Sequence, residues 1–327
     1  MIKSVYPGRN KFAQNTIKVI ITFVLLIVLL TKLDIEQMIS SLAQANISFL
    51  FLATAIFLAR NIFAARRWQL LLATKGIKHS LIQLTRYYLI GAFFSLFLPS
   101  AVSGDIIRAY YSTKDSSNPI ISITAVIVER IIGLIAILSF TFGALVLSTR
   151  LFNNEIINWI SIIGVMLLLF TLVLFFINLD FLQRYKFSKL KIVKELINYM
   201  VTIQQYRHQP RVLLSVFGIS LLYQLLAVFS SYVSSLAIGE TLGFNIFLVI
   251  FAISSVLSMI PISLGGIGVR EGSMTFLLVM VGVNKDSAGL ISLIGLFFFL
   301  IQGVVGVIAF LSGPKIDRND IYKFQSP

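Results

Sequence analysis

Residues 287–312 read SAGLISLIGLFFFLIQGVVGVIAFLS and hold no charged side chain. A helix rises about 1.5 Å per residue, so roughly 20 apolar residues cross the hydrocarbon core of a bilayer. Comparable apolar stretches occur at about 17–32, 47–65, 119–148, 156–178 and 212–238. In lipid, backbone polar groups must find partners within the protein, so spans are helices or a closed barrel. The runs are continuous rather than alternating, which favours helices. The expectation is an all-α, polytopic membrane protein forming one integral domain over 1–327. Composition agrees: 12% of residues are charged and mean hydropathy is +0.93, whereas about a quarter of a soluble domain is charged. The basic head (Lys3, Arg9, Lys11, Lys18) before Val19–Leu30 mimics a signal peptide, and AQA at 43–45 mimics a cleavage site. That triplet lies beyond a charged stretch, so the first span reads as retained.

A formal charge of +14 does not indicate nucleic acid here. The basic residues cluster between apolar runs, as membrane topology demands. Cysteine is absent, and His79 and His208 lie in polar connections; no metal site and no cofactor is expected. In DIEQMISSLAQA (34–45), Ile35, Met38, Ile39 and Leu42 share a helical face and Asp34 is placed to cap it. This reads as a helix in the membrane interface. Arg66, Arg67 and Trp68 read as the charged and aromatic border ending the second span. The basic connection 180–211 carries an apolar stripe (Leu190, Val193, Leu196, Ile197, Met200) and reads as a surface amphipathic helix.

Two segments share a spacing: LPSAVSGDIIRAY (98–110) and IPISLGGIGVREG (260–272). Each has Pro, then Gly five residues on, then Arg four residues later: Pro99, Gly104, Arg108 and Pro261, Gly266, Arg270. Downstream, ERIIGLIAIL (129–138) aligns without a gap to QGVVGVIAFL (302–311), placing Gly133 on Gly306 and Ala136 on Ala309. The reading is an internal repeat, with one half at about 47–148 and the other at about 212–312.

Charge counting orients the repeat. With a cytoplasmic N-terminus, six full spans and both motif regions as hairpins, 19 of the 27 Lys/Arg fall inside and three outside. Five stay at membrane depth: Arg60, Arg86, Arg108, Arg130 and Arg270. Making the first motif region a single span would push the basic 180–211 segment outside, against the positive-inside rule. The two hairpins then enter from opposite faces, as inverted copies with broken helices. Both termini are placed in the cytoplasm and the chain in the plasma membrane.

Proline disrupts a helix interior and glycine permits a tight turn. Pro99 and Pro261 are the expected helix breakers, and Gly104 and the Gly265–Gly268 run the expected turns. The next half-helix then starts inside the membrane with free N–H groups, which attract anions. Arg108 and Arg270 fall in its first turn or so, suited to a phosphate. Ser103 is a candidate cap, with Ser100 and Ser263 as further donors. The competing reading is structural: Asp105 can pair with Arg108, and Glu271 can pair locally. Glu129 and Arg130 point about 100° apart, so they meet different partners; Glu129 can neutralise Arg108 or carry a coupling proton. Arg60, Asn61, Tyr223 and Gln224 can line a cavity or join helices.

RRWQLLLATKG (66–76), FFSLFLPSAVSGDIIRAYY (93–111), VERIIGL (128–134) and IPISLGGIGVREG together resemble the flippase-like membrane domain of the lysylphosphatidylglycerol synthase family. The resemblance implies movement of aminoacylated or other phospholipids, or polyprenyl-phosphate-linked lipids, between leaflets. It implies phosphate-bearing membrane lipids as partners of Arg108, Arg270, Ser103, Gly104, Gly265 and Gly266, with Asp105, Glu129, Arg130 and Glu271 in support. The chain ends at Pro327 soon after the last span, so aminoacyl transfer is not expected from it. Its Ser103–Gly104–Asp105 stands where family members often carry Gly-Gly-Asp. Two other classes compete with a non-enzymatic translocase. One is a membrane transferase or hydrolase using Asp105, Glu129 or Glu271. The other is a partner subunit that recruits a membrane protein through 180–211.

Overall fold

The structure is a computed structural model that describes residues 9–97, 103–113, 119–147, 166, 169, 202–258 and 262–312. Among these the architecture is all-helical. The helices are α1 (Arg9–Thr31), α2 (Ile35–Ala43), α3 (Ile47–Ala73), α4 (Leu81–Phe97), α5 (Ser103–Thr113) and α6 (Pro119–Leu147). They continue with α7 (Pro210–Ala237), α8 (Phe244–Ser258), α9 (Val269–Met280) and α10 (Lys285–Leu311). Short 3₁₀ turns occupy Gln205–His208 and Leu264–Gly266. Four stretches are long and apolar enough to cross a membrane: Ile47–Ala73, Ile120–Gly143, Pro210–Ala237 and Lys285–Leu311. The expected span at 156–178 and most of the basic connection lie outside the described residues. So do Pro99, Ser100 and Pro261.

Local chemistry explains the helix starts. Asp34 caps α2, its carboxylate accepting from Gln37 N–H at 3.1 Å. Asn46 accepts from Ser48 N–H at the start of α3, and Ser80 from Gln83 N–H at the start of α4. Asn284 accepts from Asp286 N–H as α10 begins. α6 and α7 open on Pro119 and Pro210, where a missing N–H costs nothing. α2 buries Met38 and leaves Ile35, Ile39 and Leu42 exposed, as a helix lying against lipid would.

One expected boundary moves. The second span does not stop at the Arg66–Trp68 border; α3 continues to Ala73, and Arg67 and Trp68 are buried. The reason is electrostatic and appears below.

The chain forms two compact units. The first comprises Met1–Leu58, Ala92–Gly104 and Leu226–Val305. Its core joins Leu33, Met38, Ala53, Phe57, Val233, Leu290, Ile294 and Phe298, with the Phe57 and Phe298 rings 5.7 Å apart. Small side chains allow close backbone contact: Ser230 Oγ donates to the Ala53 carbonyl at 2.8 Å, a common use of serine between membrane helices.

The second unit comprises Ala59–Gly91, Asp105–Leu225 and Gly306–Pro327. Trp68, Leu71, Leu72, Leu84, Ile90 and Leu138 are fully buried there. Gln69 donates to the His79 carbonyl at 2.8 Å, and His79 Nε2 lies 3.2 Å from the Ser112 carbonyl oxygen at the end of α5. Beyond the end of α3, Lys75 stacks on the Tyr206 ring at 4.9 Å. Burial pushes the Tyr206 phenol up to about 12 and lowers Lys75.

Candidate functional site

Each motif region places its arginine in a helix, α5 or α9, but the arginines occupy different places in them. Arg108 is the sixth residue of α5, in its second turn. Arg270 is the second residue of α9. The expectation that both lie in the first turn holds only for Arg270. The helical starts instead align two acids, since Asp105 and Glu271 are each third in their half-helix. An acid there meets the positive end of the helix dipole. The first break also differs from the glycine turn expected at Gly104. α5 begins at Ser103, so Gly104 is helical and buried. The residues just before Ser103 lie outside the described residues, as does the Ser103 side chain.

In the second unit, Arg108 is enclosed. Its Nε donates to Asp105 Oδ1 at 2.9 Å and its Nη1 to Glu129 Oε2 at 2.6 Å. Its guanidinium lies 4.9 Å from the Trp68 ring and 4.5 Å from the Tyr88 ring. Only 3% of the side chain is exposed. The other Glu129 oxygen accepts from Arg67 Nη2 at 3.0 Å and from the Tyr88 hydroxyl at 3.4 Å. Arg67 Nη1 donates to Ser220 Oγ at 3.0 Å. Asp105 Oδ2 pairs with Arg130 Nε, and the Arg130 side chain is half exposed. Glu129 thus ties α3, α4 and α5 to α6. The enclosed members Arg67, Arg108, Asp105 and Glu129 sum to zero formal charge, with the fifth member, Arg130, half exposed at the edge of the cluster, which is how four ionised groups remain in an apolar unit.

Arg67 and Trp68 read in the sequence only as a membrane border, and Tyr88 and Ser220 did not stand out. A signal existed for Arg67. It lies seven residues after Arg60, two helical turns on, so the two share a face. Both guanidinium groups lie against one Tyr223 ring, at 5.0 Å for Arg60 and 4.8 Å for Arg67. Position beside Arg66 made Arg67 look like part of a membrane border instead.

In the first unit the break is built on glycine. Gly265, Gly266 and Gly268 have φ of 57°, 79° and 85°, the left-handed region that other residues avoid. A Cβ on Gly266 would lie 2.6 Å from the Ser258 carbonyl oxygen, and one on Gly268 would lie 2.7 Å from Leu25 Cβ. α1 braces this turn, since Leu264 N–H donates to Thr22 Oγ1 at 2.8 Å. Thr22→Val, nearly isosteric, is therefore expected to cost about 0.5–1.5 kcal/mol by taking the partner from a partly buried N–H. Thermal unfolding in detergent measures this; Thr22→Ser should keep the stability, and an unchanged Thr22→Val would show that the bond contributes nothing.

The start of α9 is not the open anion site the sequence suggests, because Glu271 already serves it. One Glu271 oxygen accepts from Gly268 N–H at 2.6 Å. The other accepts from Arg270 Nε and Nη2 at 3.0 and 2.6 Å. Glu271 is fully buried, while a quarter of the Arg270 side chain is exposed. The Arg270 guanidinium lies 5.6 Å from the Phe299 ring. No other carboxylate reaches Arg270 among the described residues. The Ser263 hydroxyl nearby in the chain is buried and has no hydrogen-bond partner. Among the described residues, no group of three His, Cys, Asp or Glu is placed to hold a metal.

The two arginines thus differ in kind. Arg108 bridges its own helix to a second through carboxylates on both. Among the described residues, the one carboxylate on Arg270 comes from its own helix, and a quarter of its side chain is exposed.

Residues 15–308 match the family model described as the lysylphosphatidylglycerol synthase TM region. The chain is also similar to a UPF0104 membrane protein of Pyrococcus horikoshii, 26% identical over 324 residues, covering 91% of this chain and 97% of that protein. The matched stretch includes both breaks and every member of the two arginine clusters. This chain is an integral membrane protein and belongs to the lysylphosphatidylglycerol synthase transmembrane-region family.

Proposed function

We propose that this protein moves phosphate-bearing lipids between membrane leaflets, with Arg270 as the group that engages the headgroup phosphate. The carrying observation is the state of Arg270: a partly exposed arginine, second in a helix that starts after a glycine turn, with a single carboxylate partner on its own helix. A partly exposed guanidinium, with its planar fork of donors, suits an oxyanion. The family's name, which joins the membrane region to a phospholipid synthase, supports a lipid as the source of that anion.

In this reading the Arg108 cluster is a frame rather than a ligand site. Moving α5 away from α6 would part Arg108 from Glu129. Moving α9 parts no ion pair, because Arg270 and Glu271 travel together. The second hairpin is then the element that shifts when a headgroup binds. The charge distribution supports hairpins entering from opposite faces, with both termini cytoplasmic in the plasma membrane.

Reconstitution tests the reading. Purified protein in liposomes is expected to exchange fluorescent phosphatidylglycerol between leaflets, and Arg270→Gln to slow that exchange about tenfold or more, the equivalent of one lost charged hydrogen bond. The variant should also melt below wild type, because the buried Glu271 loses its counter-charge; Arg270→Lys, which keeps the charge but not the planar fork, should slow exchange with a smaller loss of stability. Exchange at the wild-type rate in a well-folded Arg270→Gln protein would remove Arg270 from the mechanism.

A further inference from the structure

The two arginines differ in their counter-charges because of one substitution on the long helix that follows each hairpin. In the gap-free match of 129–138 with 302–311, Glu129 falls on Gln302. Glu129 carries the charge that locks Arg108. Gln302 is 5% exposed, so it faces the interior at the corresponding level of α10. Three residues before it on the same helix stands Phe299, the ring against Arg270. Side chains three apart on a helix are neighbours. A neutral, buried amide therefore stands one helical turn from the ring that Arg270 meets.

We infer that Gln302 determines what Arg270 can bind. As an amide it adds no negative charge, so a phosphodiester monoanion can settle beside the guanidinium without meeting a second carboxylate. The buried Ser263 hydroxyl, without a hydrogen-bond partner among the described residues, is a further donor for such an anion. A glutamate at this position would reproduce the Glu129 arrangement: it would hold Arg270 across to α10 and repel the anion at short range. The inference rests on Arg270 being the phosphate subsite, as proposed above. It adds that selectivity for an anionic headgroup is set from α10, by the absence of charge at one residue.

Binding of soluble ligands by the purified full chain in detergent tests this, by calorimetry. The probes are dihexanoyl phosphatidylglycerol, glycerol 3-phosphate and inorganic phosphate. Gln302→Glu is expected to weaken binding of the short-chain lipid about tenfold or more, since a like charge a few ångströms away acts strongly in a medium of low dielectric. Gln302→Ala, which stays neutral, should bind within about threefold of wild type, the scale of one neutral hydrogen bond. Melting temperatures of all variants separate a lost ligand from a lost fold. Wild-type affinity in Gln302→Glu, or equal losses in Gln302→Glu and Gln302→Ala, overturns the inference. If Arg270→Gln binds as well as wild type, or wild type binds none of the three probes, the subsite itself fails and the inference with it. Equal affinity for glycerol 3-phosphate and the lipid would keep Gln302 in its role but assign the ligand as a free phosphate, which removes the lipid reading.

Discussion

Glu129→Gln is expected to destabilise the protein by about 3–5 kcal/mol, the usual cost of stripping the partner from a buried charge. The substitution keeps size and shape, so the loss is one of charge. Glu129 is the carboxylate that meets both Arg67 and Arg108. Without it Arg108 still has Asp105, but Arg67 keeps only Ser220 and the Tyr223 ring. The four-residue core then carries an uncompensated positive charge. This predicts a recovery that a packing defect would not show. Removing Arg67 as well, in Glu129→Gln/Arg67→Met, leaves the neutral Asp105–Arg108 pair. The double variant should melt above Glu129→Gln alone, giving a coupling of 0.5–3 kcal/mol of the kind found between contacting charges, taken as an order of magnitude. Additive losses, or a Glu129→Gln protein that melts with the wild type, would show that the network does not hold these helices together.

That network marks the limit of what the sequence could reveal. Long apolar runs predict α3, α6, α7 and α10 well, because span length and hydropathy are local properties. The second glycine turn was legible for the same reason: only glycine enters the φ > 0 region cheaply, and three glycines within four residues announce it. The Asp34 cap follows from its position before an apolar face. Arg67 could not be read locally. Its burial depends on a carboxylate 62 residues away and a tyrosine on another helix, and no window of sequence contains them. The spacing match of Arg108 and Arg270 was accurate as spacing. It concealed that α5 and α9 begin one turn apart relative to the motif, which places one arginine inside a lattice of charges and the other beside an opening.

Gly268→Ala has the second large expected effect, about 2–6 kcal/mol. Two costs add: a non-glycine residue at φ 85°, worth about 1–3 kcal/mol, and overpacking of about 1–3 kcal/mol. The clash is with Leu25 Cβ at 2.7 Å, a stem atom of α1 that cannot swing aside. Relief requires α1 to retreat or the turn to open, and either disturbs the Thr22 contact and the placement of Arg270. Gly272→Ala, four residues on in the same helix, is the control. Nothing lies within 4 Å of its added methyl, and alanine in a helix interior should stabilise by about 0.5–1 kcal/mol. Thermal unfolding of the two variants side by side checks the contrast. Equal melting temperatures would mean that the turn is not held in the conformation described.

The order of charges along the chain bears on how the protein enters a membrane as it is made. Arg270 and Glu271 are consecutive, so the second hairpin brings its own counter-ion and is close to neutral as soon as it emerges. Asp105 and Arg108 likewise arrive within one turn of each other. Arg67 does not: its carboxylate is 62 residues downstream on α6, to be synthesised only after α4 and α5. A lone arginine costs about 2.5–3.5 kcal/mol on insertion at the centre of a span and less toward an end, where Arg67 lies within the last two turns of α3. α3 therefore has to wait, shielded by the insertion machinery or tilted toward the headgroups, until α6 delivers Glu129. Closure of this charge cluster is thus a late checkpoint in biogenesis, at which the first three hydrophobic elements of the unit are committed together.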